Sequence, residues 1–449
     1  MPGRKPAVTL IVGAGLAGLA AACTLQDAGE PFLLCEAGDA IGGRVRTDKV
    51  DGFLLDRGFQ VFLTAYPEAQ RLLDYPALRL RSFYAGAYLA WQGKLRLMAD
   101  PWRHPVDALQ SLTAGPATWG DRLRIGRLRL QGSSAGIVCV ARDWRAPRRT
   151  GQPSPSTRDR LQAEGFSGPF QKAFLEPFFR GIFLDPALGT SSDLFRFVFG
   201  MMAQGETTVP EEGMEAIPRQ LAQRIPAAAL RLNHRCVALE MDAAGGGRAR
   251  FETGQESGET VSLLWDRMIL AVEEPAACEL LGWPAPRAAR QTTSIYFAAQ
   301  QNPLKRPALV LFGENGPVNH LAVLSAVAPS YAPPGQHLLV ANLVGQAVTD
   351  AEAVLPAIRN QLLPWFGEQV NRWRYLRAVS VPFAQPNQDA DLGGRNPQRE
   401  PLPPGVVLAG DFTTNASIDG ALYSGVRAAQ SLLGLSPGGE VRPQGEPGR

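Results

Sequence analysis

The sequence predicts an α/β fold: a domain with a parallel sheet, assembled from discontinuous segments, joined to a second domain of α+β type. Three blocks carry that expectation. An apolar run at 8–12 opens directly into a G-x-G-x-x-G turn, a second short strand ends in an acid at Glu36, and a strand–glycine–acid–helix block lies near residue 410.

Val8 to Val12 is short, apolar and β-branched, as expected of a strand buried on both faces. Gly13-Ala14-Gly15-Leu16-Ala17-Gly18 follows at once, then an Ala/Leu-rich helical stretch to about Gly29, then a strand from Phe32 to Cys35 that ends in Glu36. Together these make a Rossmann-like βαβ dinucleotide site. Gly13 permits the tight turn, Gly15 lets the backbone approach a pyrophosphate, and Gly18 lets the helix pack closely on the sheet. The helix N-terminus directs free N–H groups at the phosphates. Glu36 is placed to accept hydrogen bonds from ribose hydroxyls.

The segment Ala40 to Thr47 contains Gly42-Gly43-Arg44, which a simple NAD domain does not need. Its glycine pair lets a second backbone segment close over the pyrophosphate, and Arg44 offers a bidentate charge partner. At the other end of the chain, Val406 to Ala409 reads as a strand, followed by Gly410-Asp411. A helix then begins near Ile418, with a stripe of small residues at Gly420, Ala421, Ser424, Gly425 and Ala428. Small residues allow close packing. The N-terminus of that helix also presents a positive dipole end where a reduced flavin ring becomes negative. Asp411 is placed to hydrogen-bond a ribityl chain.

These blocks resemble the superfamily of flavin amine oxidases, phytoene desaturases and protoporphyrinogen oxidases, strongly over 8–60 and 405–430 and more faintly between. The resemblance implies FAD held by Gly13, Gly15, Gly18, Glu36, Arg44, Asp411 and Ile418, together with the adjoining Ala14, Gly43 and Gly410. It also implies a βα return near 205–272, where Leu230–Leu239 and Arg267–Val272 read as strands. In such proteins a residue of the first of these strands holds the adenine through its backbone. By spacing that residue is Cys236, with Val237 as the other choice. The resulting plan is a FAD-binding domain from 1–75, 205–275 and 402–434, a substrate domain from 76–204 and 276–401, and a disordered tail at 435–449. A Pro-rich patch from Trp144 to Ser156 reads as an exposed loop.

Composition narrows the chemistry. Of 449 residues 45% are hydrophobic and 19% charged, which excludes a wholly disordered chain, and a net charge of +3 is too balanced for a nucleic-acid binder. Five scattered cysteines without C-x-x-C and only four histidines argue against a disulfide framework and against a metal site. The glycine spacing takes up the one apolar run near the N-terminus, so a targeting segment is not expected and the protein is expected to be cytoplasmic. No cysteine follows Cys278, which excludes a cysteinyl flavin link in the C-terminal block; FAD is expected to be noncovalent.

The expected reaction is desaturation or dehydrogenation of an apolar isoprenoid or tetrapyrrole-like small molecule by hydride transfer to flavin N5. Aromatics between Pro169 and Phe199 form a helical core, a fraction of them lining an apolar tunnel, and Gln291–Ala299, Ala322–Leu324 and His337–Leu343 suggest a sheet beneath it. The amine-oxidising branch commonly has a lysine near N5 on the strand matched by Thr292–Phe297, where there is none, and an aromatic where Ile418 stands. No catalytic base is named, and the electron acceptor stays open. Two alternatives remain: an amine oxidase with an atypical pocket, and a non-catalytic lipid-binding escort of the same fold, against which the intact glycine motif speaks. Residues 79–160 carry fifteen Lys/Arg and five Asp, interleaved with Trp91, Trp102 and Trp119. Arg122 to Leu130 there fits a peripheral-membrane helix as well as it fits a solvated surface.

Overall fold

The computed structural model describes residues 8–110, 115–133, 154–242, 245–254, 258–286, 288–313, 316–390 and 401–435. The expected tail, apart from Leu435, and most of the Trp144–Ser156 patch lie outside these. Strands β1 (Thr9–Val12) and β14 (Arg267–Leu270) form the centre of a five-stranded parallel sheet, flanked by β2 (Phe32–Cys35) and β10 (Leu230–Arg231) on one side and β20 (Val406–Leu408) on the other. All four pairings are parallel. The order β10-β2-β1-β14-β20 runs outward in both directions from β1 and β14, so a crevice opens beyond their carboxyl ends, where such sheets bind ligands.

One expectation is corrected here. Leu230 to Leu239 is not one strand but two, in different sheets. Asn233 adopts a left-handed φ of 55°, which asparagine tolerates better than most residues. The chain thereby leaves β10 and enters β11 (His234–Met241), the first strand of an antiparallel meander with β12 (Gly247–Thr253) and β13 (Glu259–Trp265).

Helix α1 (Leu16–Asp27) is buried from Leu16 to Leu25. Its deepest neighbour is the helix Ile418–Leu432, called α3 below, and the two backbones nearly touch. A Cβ on Gly425 would stand 2.0 Å from the Ala17 carbonyl oxygen. The stripe of small residues is therefore a steric requirement that seats the end of the chain against its first helix.

The remaining strands build the other half. β7 (Gly86–Trp91), β8 (Lys94–Ala99), β15 (Arg290–Ala299), β16 (Leu309–Phe312), β17 (His320–Val323), β18 (His337–Val344) and β19 (Arg374–Gln385) form a seven-stranded sheet in the order β19-β15-β18-β17-β16-β7-β8. Only β16 and β7 pair in parallel; the other pairings are antiparallel. Smaller ribbons, β3 (Thr47–Val50) with β4 (Phe53–Asp56), and β5 (Phe62–Leu63) and β6 (Leu80–Ser82) about β9 (Thr207–Pro210), connect the two sheets. Against this frame lies the aromatic stretch. Phe170, Phe174 and Phe178, four residues apart, follow one another with ring centroids 5.4 Å apart, across a π-helical turn at Gln171–Leu175. One hydrophobic core runs from α1 through Phe53, Phe62, Phe179 and Phe195 to Tyr296 and Tyr331.

Asp56 ties these parts together. It is buried; its carboxylate accepts hydrogen bonds from the Thr47 hydroxyl (2.6 Å), the Met214 N–H (2.9 Å) and the Tyr331 hydroxyl (2.9 Å), and its carbonyl accepts one from Tyr296 (2.7 Å). Burial raises its pKa to about 6 against these hydrogen bonds, with Glu215 adding to the rise. A carboxyl whose folded pKa lies above its unfolded value stabilises the fold at low pH and loses that contribution as pH climbs through the folded pKa. Wild-type unfolding free energy should therefore fall relative to Asp56→Asn between about pH 4 and pH 6, by roughly 3 kcal/mol at most, in urea titrations run across that range. At the helix contact, Gly425→Ala should lower stability by about 2 kcal/mol through overpacking, despite a helix-propensity gain of about 1 kcal/mol; thermal unfolding checks it.

Candidate active site

A cavity of about 940 Å³ runs from the crevice above β1 and β14 to the aromatic helices and the seven-stranded sheet. Of the residues expected to bind a cofactor, Gly13, Gly15, Glu36, Gly43, Arg44, Cys236, Gly410, Asp411 and Ile418 line it. Ala14, Gly18 and Val237 do not, and each has a structural reason.

Ala14 turns a fully buried side chain inward, while its N–H donates to Glu36 (2.7 Å) and its carbonyl accepts from the Gly42 N–H (2.8 Å). Gly18 lies beneath the turn, where a Cβ would stand 1.8 Å from the Gly13 carbonyl oxygen; its glycine is demanded by helix–turn packing. Val237 is skipped in the register between β11 and β12, which pairs Cys236 with Phe251 and Ala238 with Arg250. This irregularity leaves Cys236, beside His234 and Arg235, in the cavity wall.

The two glycine segments meet backbone to backbone. Gly15 and Gly42 form an isolated parallel bridge, and a Cβ on Gly43 would lie 3.3 Å from the Gly15 Cα. Gly13, at φ +102°, has no room for a side chain because the Ala271 carbonyl oxygen would be 2.6 Å away. Helix α1 begins at Gly15 with no side-chain cap and no acid in its first turn. Its leading N–H groups are thus available to an anion, as a bound pyrophosphate requires. Glu36 sits beside them, with one carboxylate oxygen accepting from Ala14 and the other from the Gly38 N–H (2.8 Å). Those bonds fix its orientation and leave each oxygen a lone pair for a ribose hydroxyl. The residues present fit a dinucleotide.

Arg44 and Asp411 were expected to serve the cofactor separately; the structure pairs them. The guanidinium donates to the Asp411 carboxylate (2.8 Å) and to the Ala384 carbonyl (2.8 Å), and its Nε lies 3.5 Å from Glu273. Burial works against the charge on Arg44, and Asp411 more than offsets it. Glu273 has its pKa raised by burial and by Asp411 and Glu36, with Arg44 opposing. One cation therefore organises two carboxylates at the crevice. Beyond them, α3 starts with Ser417 capping the Gly420 N–H (2.9 Å), which brings Ile418 to the cavity.

Several wall residues escaped the sequence reading. Glu273 directly follows the apolar run 267–272, as Glu36 follows β2, so the signal was present in the sequence, although β14 itself ends at Leu270. Arg57, Gly58, Phe59 and Gln60 line the cavity after β4, and the Gln60 amide donates to the Arg44 carbonyl (2.8 Å). His320, at the start of β17, had no local signal at all. Away from the crevice one wall of the cavity is aromatic, formed by Phe170, Phe174, Phe178, Phe179, Phe183 and Phe199.

A nucleotide crevice continuous with an aromatic pocket is built to seat a dinucleotide along the parallel sheet with one end at that pocket. The family model described as flavin containing amine oxidoreductase matches residues 16–433, and the chain belongs to that family. It is a FAD-dependent oxidoreductase. In sequence the chain is 46% identical over 69 residues to a 15-cis-phytoene desaturase of Arabidopsis thaliana, a stretch covering 15% of this chain and 12% of the desaturase. It is 32% identical over 123 residues to a coproporphyrinogen III oxidase of Propionibacterium freudenreichii, covering 26% and 23% of the two chains. The fold is similar to that of cyclohexylamine oxidase from Brevibacterium oxydans, with a TM-score of 0.64 at 18% identity over 95% of this chain and 99% of the other. Among the described residues no three His, Cys, Asp or Glu side chains are grouped to hold a metal, and no helix is long and apolar enough to cross a membrane.

Glu36→Ala removes a charged acceptor and the anchor of two backbone N–H groups. FAD affinity should fall by roughly 1.5–3 kcal/mol, read by equilibrium release of flavin fluorescence; unchanged affinity would show that the ribose lies elsewhere.

Proposed function

We propose that this oxidoreductase desaturates or dehydrogenates the carbon framework of a large apolar substrate, isoprenoid or tetrapyrrole-like, with FAD held noncovalently. The observation that carries the reading is the cavity wall: six phenylalanines on one side, Ile418 at the crevice, and no lysine among the described lining residues. Lys305, the lysine nearest in sequence to β15, is not part of that wall. Bound flavin supplies a two-electron, hydride-accepting centre. The chain's own part is to exclude water with aromatic surface and to hold the framework in one orientation. Two of the proteins matched in sequence are named for phytoene desaturation and coproporphyrinogen III oxidation; a polyamine oxidase matches over a stretch as short, so the choice against an amine rests on the cavity wall. The FAD absorbance near about 450 nm should bleach anaerobically with carotenoid precursors or porphyrinogens and persist with polyamines. Bleaching by amines alone overturns the reading.

The rim of the cavity supports a route for such a substrate. Trp102 and Trp119 line the cavity and are 50% and 70% exposed, which places them at its solvent edge. Helix α2 (Trp119–Ser133) adds Leu123 and Leu130 at 75% and 66% exposure, and Leu109 nearby in sequence is 67% exposed. Trp119, Leu123 and Leu130 share one helical face. The arginines of this helix are partly engaged: Arg124 donates to the Glu164 carbonyl (2.9 Å), and Arg129 pairs with Asp100 (2.7 Å) over the Trp102 ring (4.8 Å). We propose that this rim rests peripherally on an anionic lipid surface, with leucines inserted and arginines at headgroup level. Changing Leu109, Leu123 and Leu130 together to Gln should weaken sedimentation with phosphatidylserine vesicles by about tenfold or more and leave the flavin spectrum unchanged. Failure of the wild type to sediment at low salt rejects the surface.

A further inference from the structure

His320 lies in the cavity wall with its side chain 2% exposed. The Phe59 ring meets its ring edge-on at 4.9 Å, and Gly181 leaves room beside it: a Cβ there would stand 3.0 Å from Nδ1 and 3.2 Å from Cε1. Nδ1 is 3.0 Å from the amide nitrogen of Asn319, which also donates to the Pro177 carbonyl (2.9 Å). That second bond fixes the amide, because turned over it would set oxygen against oxygen. An amide nitrogen only donates, so Nδ1 accepts and the ring proton is on Nε2. Burial pushes the pKa down to about 4, which keeps the ring neutral. The result is one N–H donor on Nε2, buried and without a partner in the protein.

A buried donor left unpaired is costly; among the described residues eleven buried side-chain atoms lack a partner, and His320 Nε2 is the one whose residue lines the cavity. The phenylalanines and Leu311 around the pocket have no acceptor to give. The carboxylates of the cavity are held elsewhere, Glu36 by Ala14 and Gly38, Asp411 and Glu273 by Arg44, and Asp100 by Arg129 and the Trp102 N–H. We propose that the substrate bears a neutral acceptor, a carbonyl, ether or hydroxyl oxygen or an unprotonated nitrogen, that receives the Nε2–H of His320. This rests on the reading that the substrate lies in this cavity, and it narrows that reading from hydrocarbons to frameworks carrying such an atom. A neutral ring in an apolar wall is matched to a neutral acceptor; a buried carboxylate would remain without a charge partner. His320 is then a specificity-determining donor, set in register by Asn319.

The probes are benzophenone and 1,1-diphenylethylene, alike in shape, with oxygen in one where the other has CH₂. Equilibrium dialysis against the FAD-loaded protein should show benzophenone bound about tenfold more tightly, the difference expected of one hydrogen bond. His320→Leu should abolish the preference, and His320→Gln, which keeps a donor, should retain part of it. FAD affinity should be unchanged in both variants. Equal binding of the two probes, or binding of neither, overturns the proposal. A loss of FAD affinity in His320→Leu also overturns it, because the donor would then belong to the cofactor. Histidine-selective ¹⁵N NMR gives a check that needs no variant to fold: a neutral Nε2-protonated ring is expected at His320, and the Nδ1-protonated form removes the premise. Failure of the functional reading is seen separately, as protein that takes up no flavin while dialysis still reports on the probes.

Discussion

The close approach of two helices, where Gly425 meets the Ala17 carbonyl with no space for a methyl group, is the constraint on which the rest of the molecule depends. It brings the last helix onto the first, and with it β20 onto the edge of the parallel sheet through β14. Gly410 and Asp411 follow β20 directly, so the same contact carries Asp411 to Arg44 across 367 positions of sequence. Ser424 reinforces the seat from within the helix by accepting from the Gly410 N–H (2.8 Å). The polar end of the cavity is closed by backbone proximity first and by charge second.

That order matters for the electrostatics. Arg44 is one cation facing Glu273 and Asp411, and the half-buried guanidinium is held at three points by the Asp411 and Glu273 carboxylates and the Ala384 carbonyl. A pair of this kind contributes little net stability once desolvation is counted, and its value lies in fixing geometry. Away from the crevice, Asp100, Arg103, Arg122 and Arg129 line the cavity beside Trp102 and Trp119, and a separate wall is aromatic. There the rings of Phe174, Phe178 and Phe179 form a wall that orients by shape alone. The crevice and the aromatic wall are thus two surfaces of different physical character in one continuous space.

The parts of the fold that were legible in the sequence are those where local chemistry restricts local residues. Gly13 and Gly18 read clearly because each packs against a carbonyl oxygen that leaves no room for a side chain, that of Ala271 for Gly13 and that of Gly13 for Gly18. The small-residue stripe of α3 read clearly because only small side chains permit such contact. Where the deciding interaction comes from distant chain, the sequence was mute. Asn233 ends a strand that hydrophobicity alone would continue, and the skipped residue Val237 is visible only against the partner strand. Asn319 is its neighbour in sequence, but nothing there announces a polar role for His320, since Phe59, Pro177 and Gly181 come from distant chain. Glu273 is different: its position after an apolar strand matches that of Glu36, and the missing step was to treat the second strand as an equal of the first.

The scattering of the cofactor crevice along the chain has a consequence for how the protein is made. Arg44, beyond the first glycine turn, leaves the ribosome long before Asp411 does, and at synthesis rates of about 5–20 residues per second the 367 positions that separate them take roughly 20–70 s. During that interval α1 has a face meant for α3 and no partner to cover it. Its alanines and leucines, wholly buried in the finished molecule, are open to other nascent chains or to chaperones. Loading of the cofactor therefore waits until Asp411 and α3 have been made, and any product terminated before them is released with the nucleotide turn built and the cradle around it unfinished.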